Sequence, residues 1–188
     1  MSKDRNKTNV DLEEALSNFI SDISNDPNKN TDLIAKKFLT QLENKFNFPK
    51  KDIDSIFSHL EGIAHNHPIY INKIPFISFC EHHMFPFFGE VSIAVLPEKN
   101  ILGVSKFSDL INNLSSKLTL QEKLTEEIAE EILENLDPQG VYVKVKAKHL
   151  CSDLLSPENS IGDITTTFAN GIYELDSSLR AEAALNMS

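Results

Sequence analysis

Between Val141 and Lys148 every second residue is aliphatic: Val141, Val143, Val145 and Ala147 alternate with Tyr142, Lys144, Lys146 and Lys148. Successive side chains leave a strand on opposite sides, so this period predicts an extended segment with one buried face. The segment just before it has a different period. Thr119 to Leu136 carries Leu120, Leu124, Ile128, Ile132 and Leu136 at four-residue intervals, the stripe of an amphipathic helix. Asp137-Pro138-Gln139-Gly140 then stops the helix before the strand begins. A helix that turns directly into a half-buried strand needs a sheet to lie on, and the rest of the chain must supply it.

Two further strands precede that helix. Ile69 to Phe79 is rich in Ile, Phe and Tyr, and Phe87 to Leu96 alternates Val91, Ile93 and Val95 with Glu90, Ser92 and Ala94. Pro97-Glu98-Lys99-Asn100 turns the chain, and Ser105 to about Leu114 reads as a short helix. Ile164 to Leu175 is a fourth strand, and a last helix covers Ser178 to Leu185. The order is β-β-α-α-β-β, which predicts an α+β fold with an antiparallel sheet and helices on one face. Upstream, residues 1–10 are polar and read as disordered. Helices follow at Asp11 to Ile23, at Thr31 to Phe46 behind an Asn30 cap, and roughly at Asp52 to His65. Residues 1–68 are therefore taken as an N-terminal helical extension and residues 69–188 as the main domain.

The net charge of −10 argues against a general nucleic-acid or anionic-membrane surface. No apolar run approaches the length of a membrane span. The polar start, MSKDRNKTNV, lacks the apolar core of a secretory signal, and a cytoplasmic protein is expected. In that compartment Cys80 and Cys151 are not expected to form a stable disulfide, and two buried thiols are the ordinary reading.

Their neighbours point elsewhere. Cys80-Glu81-His82-His83 ends the first strand and His149-Leu150-Cys151 ends the third. Thiolate and imidazole together suit Zn2+. Spacing leaves two arrangements open. One is a closed Cys2His2 structural site that includes His149. The other is an open site with three protein donors and water in the fourth position, where zinc lowers the pKa of that water toward ~7. His65 and His67 have no nearby thiol or carboxylate in sequence and read as solvated histidines.

These residues, taken together, resemble the GTP cyclohydrolase I family. Phe79-Cys80-Glu81-His82-His83 followed by Pro86-Phe87-Phe88-Gly89 resembles its zinc segment. Gly103-Val104-Ser105-Lys106 resembles its Gly-Leu-Ser-Lys segment, and Gln121-Glu122-Lys123-Leu124-Thr125 its Gln-Glu-Arg-Leu-Thr helix start. Ala147-Lys148-His149-Leu150-Cys151 matches its Ala-x-His-x-Cys strand end, and Thr165-Thr166-Thr167 its last strand. The order holds from about Ile74 to Tyr173.

The resemblance implies a tunnelling fold, in which β-β-α-α-β-β units join their sheets into a barrel. It also implies a homodecamer with active sites at subunit interfaces. The implied reaction is hydrolytic opening of the guanine imidazole ring of GTP, giving 7,8-dihydroneopterin triphosphate and formate. The implied zinc ligands are Cys80, His83 and Cys151, which leaves His82 and His149 for proton transfer. Glu122 is implied to hold the guanine N1 and 2-amino hydrogens, Gln121 to support base binding, and Ser105 and Lys106 to bind phosphate.

The chain departs from the family at two phosphate-binding arginines. Asp109 and Leu155 stand there, and the chain's arginines, Arg5 and Arg180, lie in neither motif. Lys106, Lys117, Lys123 and Lys148 are candidate substitutes. Two other readings follow from that departure: a hydrolase of the same fold acting on a less phosphorylated purine or pterin, and a non-catalytic zinc-binding homologue.

Overall fold

The computed structural model describes residues 5–26, 28–47, 51–58, 62, 65–155, 158 and 162–187. The chain divides into two compact units, Met1–Phe48 and Pro49–Ser188. Among the described residues no helix is long and apolar enough to cross a membrane.

The first unit is a helix pair, α1 (Arg5–Ser24) and α2 (Thr31–Phe46). Asn30 caps α2, its Oδ1 accepting from Leu33 N at 3.0 Å. Ser17 on α1 lies 2.8 Å from Thr31 Oγ1 and donates to Asp32 Oδ1 at 2.6 Å, tying α1 to the first turn of α2. The helix begins at Arg5, so residues 5–10 are helical where their polarity had predicted disorder. A polar first turn carries no apolar stripe and leaves the periodicity without a signal. Leu12, Phe19, Ile23, Leu33, Ile34 and Phe38 remain exposed on this unit.

The second unit opens with α3 (Ile53–Phe57), whose Ile56 and Phe57 are buried. The remainder of the helix expected to reach His65 falls largely outside the described residues. The strands are β1 (Ile69–Cys80), β2 (Pro86–Leu96), β3 (Leu118–Thr119), β4 (Gly140–His149) and β5 (Ile164–Gly171). They form one sheet in the order β3-β1-β2-β4-β5. The β1–β2, β2–β4 and β4–β5 pairings are antiparallel, as alternation predicts. The two-residue β3 adds a parallel pairing, Phe79 with Leu118 and Cys80 with Thr119, so the sheet is mixed.

Two helices cover one face: α4 (Val104–Ser115) and α5 (Gln121–Leu136). Phe107, Leu110 and Ile111 from α4 and Leu124, Ile128 and Ile132 from α5 share a core with Val91, Ile93, Val95, Val141, Val143 and Val145. The expected β strand at 164–175 ends at Gly171, where φ is +62°, and passes into α7 (Ile172–Leu175) and α8 (Ser177–Asn186). These last helices bring Tyr173, Ala183 and Met187 onto the opposite face, against Ala94 and Tyr142. That is why Ala94 is buried although it alternates with the core-facing valines.

A bulge in β1 matters for the site. The register shifts between Ile71 and Ile74, and Lys73 sits at φ +59°. One extra residue inverts the parity of the strand. Ile71 faces the core before it; Ile74, Phe76 and Cys80 face the core after it. The bulge therefore turns Cys80 inward, where it is 4% exposed.

Candidate active site

One end of the sheet gathers most of the sequence-predicted residues. Phe79 pairs with Pro86 across β1–β2, and Phe87 pairs with His149 across β2–β4. Cys80 and His149 thus end strands separated only by β2, about two strand spacings or ~10 Å. The turn after Cys80 is closed by Cys80 N–H donating to Phe85 O at 2.9 Å and Met84 N–H to Cys80 O at 2.8 Å. Glu81 N–H donates to Thr119 O at 3.2 Å, which fixes β3, and hence the start of α5 two residues later, beside Cys80.

Gln121, the first residue of α5, is 1% exposed. Its Nε2 lies 3.0 Å from Val145 O, 3.1 Å from Ile164 O and 3.1 Å from Thr166 Oγ1, bracing α5 against β4 and β5. Its Oε1 lies 2.8 Å from His149 Nε2. The His149 ring stacks on Phe87, centroids 4.8 Å apart and planes 10° apart. Burial pushes the His149 pKa below the ordinary imidazole value, opposed by the negative charge of Glu122. Glu122 itself is exposed at the second position of α5, near enough to act on that imidazole.

The metal candidates are less tightly gathered. Cys80 and Cys151 are free thiols, Cys151 lying on α6 (Leu150–Leu155) directly after β4. His82 and His83 are exposed in the turn after β1, their rings 6.1 Å apart and edge to face. Among the described residues no three or more His, Cys, Asp or Glu side chains form a group arranged to hold a metal ion. The donor types fit Zn2+, and they come from adjoining segments at one sheet end; in the single chain His83 faces solvent while Cys80 faces the core. His65 and His67 pair with each other edge to face, centroids 5.8 Å apart.

The phosphate candidates lie elsewhere. Leu102 and Phe107, flanking Ser105 and Lys106, line a small apolar pocket with Ile69, Val95 and Leu136. Those are the start of β1, the end of β2 and the end of α5, so Ser105 and Lys106 sit toward the opposite end of the sheet from Cys80 and Gln121. The rise of α5 alone puts the two ends about 20 Å apart. Asp109, one turn on, reaches Lys51 Nζ at 2.7 Å and Lys106 Nζ at 4.0 Å. Lys51 is itself held by the buried Asn113, whose Oδ1 accepts from Lys51 N at 3.1 Å and whose Nδ2 donates to Lys51 O. The other candidate lysines are also carboxylate-paired: Lys117 with Glu127 at 2.7 Å, Lys123 with Glu81 at 2.9 Å and Lys148 with Asp153 at 3.1 Å. Leu155 is the last residue of α6.

Sequence reasoning missed Phe87 as the ring under His149, Thr125 and Thr166 as partners around Gln121, and Lys51 as the cation on Asp109. Thr125 was within reach, lying one helical turn after Gln121. Lys51 was not, since 58 residues separate it from Asp109.

The end of the mixed sheet thus holds a buried glutamine bound to an imidazole, with two free thiols on the flanking segments. The family model of GTP cyclohydrolase I matches residues 12–187. The GTP cyclohydrolase 1 of Finegoldia magna is 33% identical over 173 residues, covering 92% of this chain and 94% of the relative. That of Latilactobacillus sakei is 39% identical over 115 residues, 61% of each chain. Among solved structures, an archaeosine synthase QueF-Like protein in its apo form covers 58% of this chain and 97% of its own at TM-score 0.45 and 18% identity, too distant to add to the assignment. The chain belongs to the GTP cyclohydrolase I family.

Proposed function

We propose that this protein is a zinc-dependent GTP cyclohydrolase I, which hydrolyses GTP to 7,8-dihydroneopterin triphosphate and formate. Family membership supports the activity, and one observation carries its assignment to these residues: His149 is anchored through Gln121 at the sheet end that also bears Cys80 and Cys151.

Cys80, His83 and Cys151 would hold Zn2+, which activates water for attack on a purine carbon. His149 and His82 carry protons; an imidazole suits this because its pKa lies close to the working pH. Burial of His149 favours its neutral form, ready to accept a proton. Glu122, exposed at the start of α5, accepts hydrogen bonds from guanine N1 and the 2-amino group, an arrangement that rejects adenine. Gln121 contributes by holding His149, since its amide hydrogens are already engaged. Ser105 and Lys106 bind phosphate.

The separation of Lys106 from His149 supports assembly. One chain presents these groups further apart than guanine C8 and the triphosphate of one GTP, so a second copy supplies the phosphate half. A homo-oligomer, a homodecamer by family likeness, meets that need, and the exposed apolar residues of the first unit offer it contact surface.

The test is formate release from GTP by zinc-loaded protein. Release no greater than that of Cys80→Ala refutes the proposal. A second reading, action on a less phosphorylated guanine compound, is favoured by Asp109 beside Lys106. Comparing GTP, GMP and guanosine decides it: a strong preference for GTP removes the second reading.

A further inference from the structure

The contacts of Gln121 fix more than its position. Thr125 Oγ1 donates to the Gln121 backbone oxygen at 2.7 Å. The Thr125 and Thr166 hydroxyls are 2.6 Å apart. Because the Thr125 proton is committed to the backbone carbonyl, Thr166 donates to Thr125, and toward Gln121 the Thr166 hydroxyl can only accept. The other two neighbours of Nε2, Val145 O and Ile164 O, are carbonyls that only accept. Flipping the amide would set Oε1 against both carbonyls and against a hydroxyl whose proton is engaged, leaving buried acceptors unpaired. One orientation remains. Oε1 faces His149, and since it bears no hydrogen, His149 Nε2 must donate across the 2.8 Å contact.

A neutral imidazole carries one proton, so a donor at Nε2 leaves the lone pair on Nδ1. Stacking on Phe87 fixes the ring plane as well. We propose that Gln121 is a positioning residue that locks His149 in the Nε2–H tautomer, so that Nδ1 is the atom through which His149 exchanges a proton with the substrate. The inference rests on His149 acting in the reaction proposed above. The lock itself follows from the hydrogen bonds alone, and β5 takes part in it through Ile164 and Thr166.

The test is the 15N spectrum of histidine-labelled, zinc-loaded full-length protein at alkaline pH, with His149 assigned by the signals lost in His149→Asn. Protonated Nε2 with pyridine-like Nδ1 is expected; the reverse pattern overturns the lock. This readout stands whether or not GTP is turned over, so failure of the functional reading is separately visible. Gln121→Leu should mix the two tautomers and lower kcat for formate release by about 10- to 100-fold at little-changed KM. A raised KM at unchanged kcat would instead make Gln121 a base-binding residue and overturn the positioning role. If Gln121→Leu does not fold, Thr166→Val serves in its place. It removes one acceptor of Nε2 but keeps both carbonyls, so a retained Nε2–H tautomer is expected and a switch to Nδ1–H refutes the argument.

Discussion

Asp109 offers the sharpest perturbation of substrate binding. Its carboxylate lies 4.0 Å from Lys106 Nζ, the cation proposed to meet phosphate. A phosphate oxygen seated on that ammonium would stand about 6–7 Å from the carboxylate, given a normal charge-assisted contact. At that distance the repulsion is about 0.6 kcal/mol in bulk water and about 2.5 kcal/mol at an effective dielectric of 20. Both side chains are about a quarter exposed, 26% for Lys106 and 23% for Asp109, so solvent screening brings the figure to about 1 kcal/mol. Asp109→Asn should therefore lower KM for GTP about fivefold. The gain should shrink for GMP, vanish for guanosine, and weaken as salt is added. Asp109→Arg should go further, by about 10- to 100-fold, because a guanidinium adds a charge-assisted pair. Steady-state formate release across the three substrates is the assay. The reasoning fails if Asp109→Asn changes guanosine as much as GTP. It also fails if KM for GTP rises, which would mean that Asp109 serves chiefly to deliver Lys51.

Other outcomes follow from single contacts. Cys80→Ser and Cys151→Ser should each cut the zinc content of purified protein from about one per chain to a small fraction, by elemental analysis; full occupancy in either removes that thiol from the ligand set. Gly89→Ala places a Cβ 2.0 Å from Lys146 O, forcing β2 and β4 apart. It should cost at least about 3 kcal/mol and lower Tm by roughly 6–12 °C, read by calorimetry. Tyr173 is buried, and its hydroxyl has no hydrogen-bond partner among the described residues. Burial raises its pKa above the ordinary value, so the unfolded chain releases this proton first, and stability falls as pH climbs above about 10. Tyr173→Phe should leave stability at neutral pH unchanged or higher and flatten that alkaline decline in denaturant titrations.

The strands and helices that sequence predicted best are those whose periodicity runs long. The alternation at 141–148 and the four-residue stripe at 120–136 each repeat often enough to choose one geometry. β3 has two residues and no period, so its parallel pairing comes only from tertiary contact. The bulge at Lys73 was equally hidden. A lysine at φ +59° carries none of the glycine signal that marks such positions, yet this residue turns Cys80 toward the core. The helix predicted at Ser178 to Leu185 is α8, but α7 and the docking of both helices on the second face were concealed, because Ile164 to Leu175 reads as one strand until Gly171 breaks it.

The two halves of the site were unequally legible for a related reason. Cys80, Gln121 and His149 are set by backbone register: Cys80 opposite Thr119, Phe87 opposite His149, and Gln121 bound to the carbonyls of β4 and β5. A change there would disturb the ladder as well as the chemistry, so the residues form compact motifs that sequence can recognise. Ser105, Lys106 and Asp109 stand on the outer turns of α4, where Asp109 meets Lys51 and Lys106 through side chains alone. An acidic residue there costs the fold little and is offset by a lysine brought in from 58 positions away. On the proposed roles, phosphate recognition would thus rest where the backbone does not depend on it, and the charge at Asp109 would tune substrate choice without touching the sheet end that bears Cys80, Gln121 and His149.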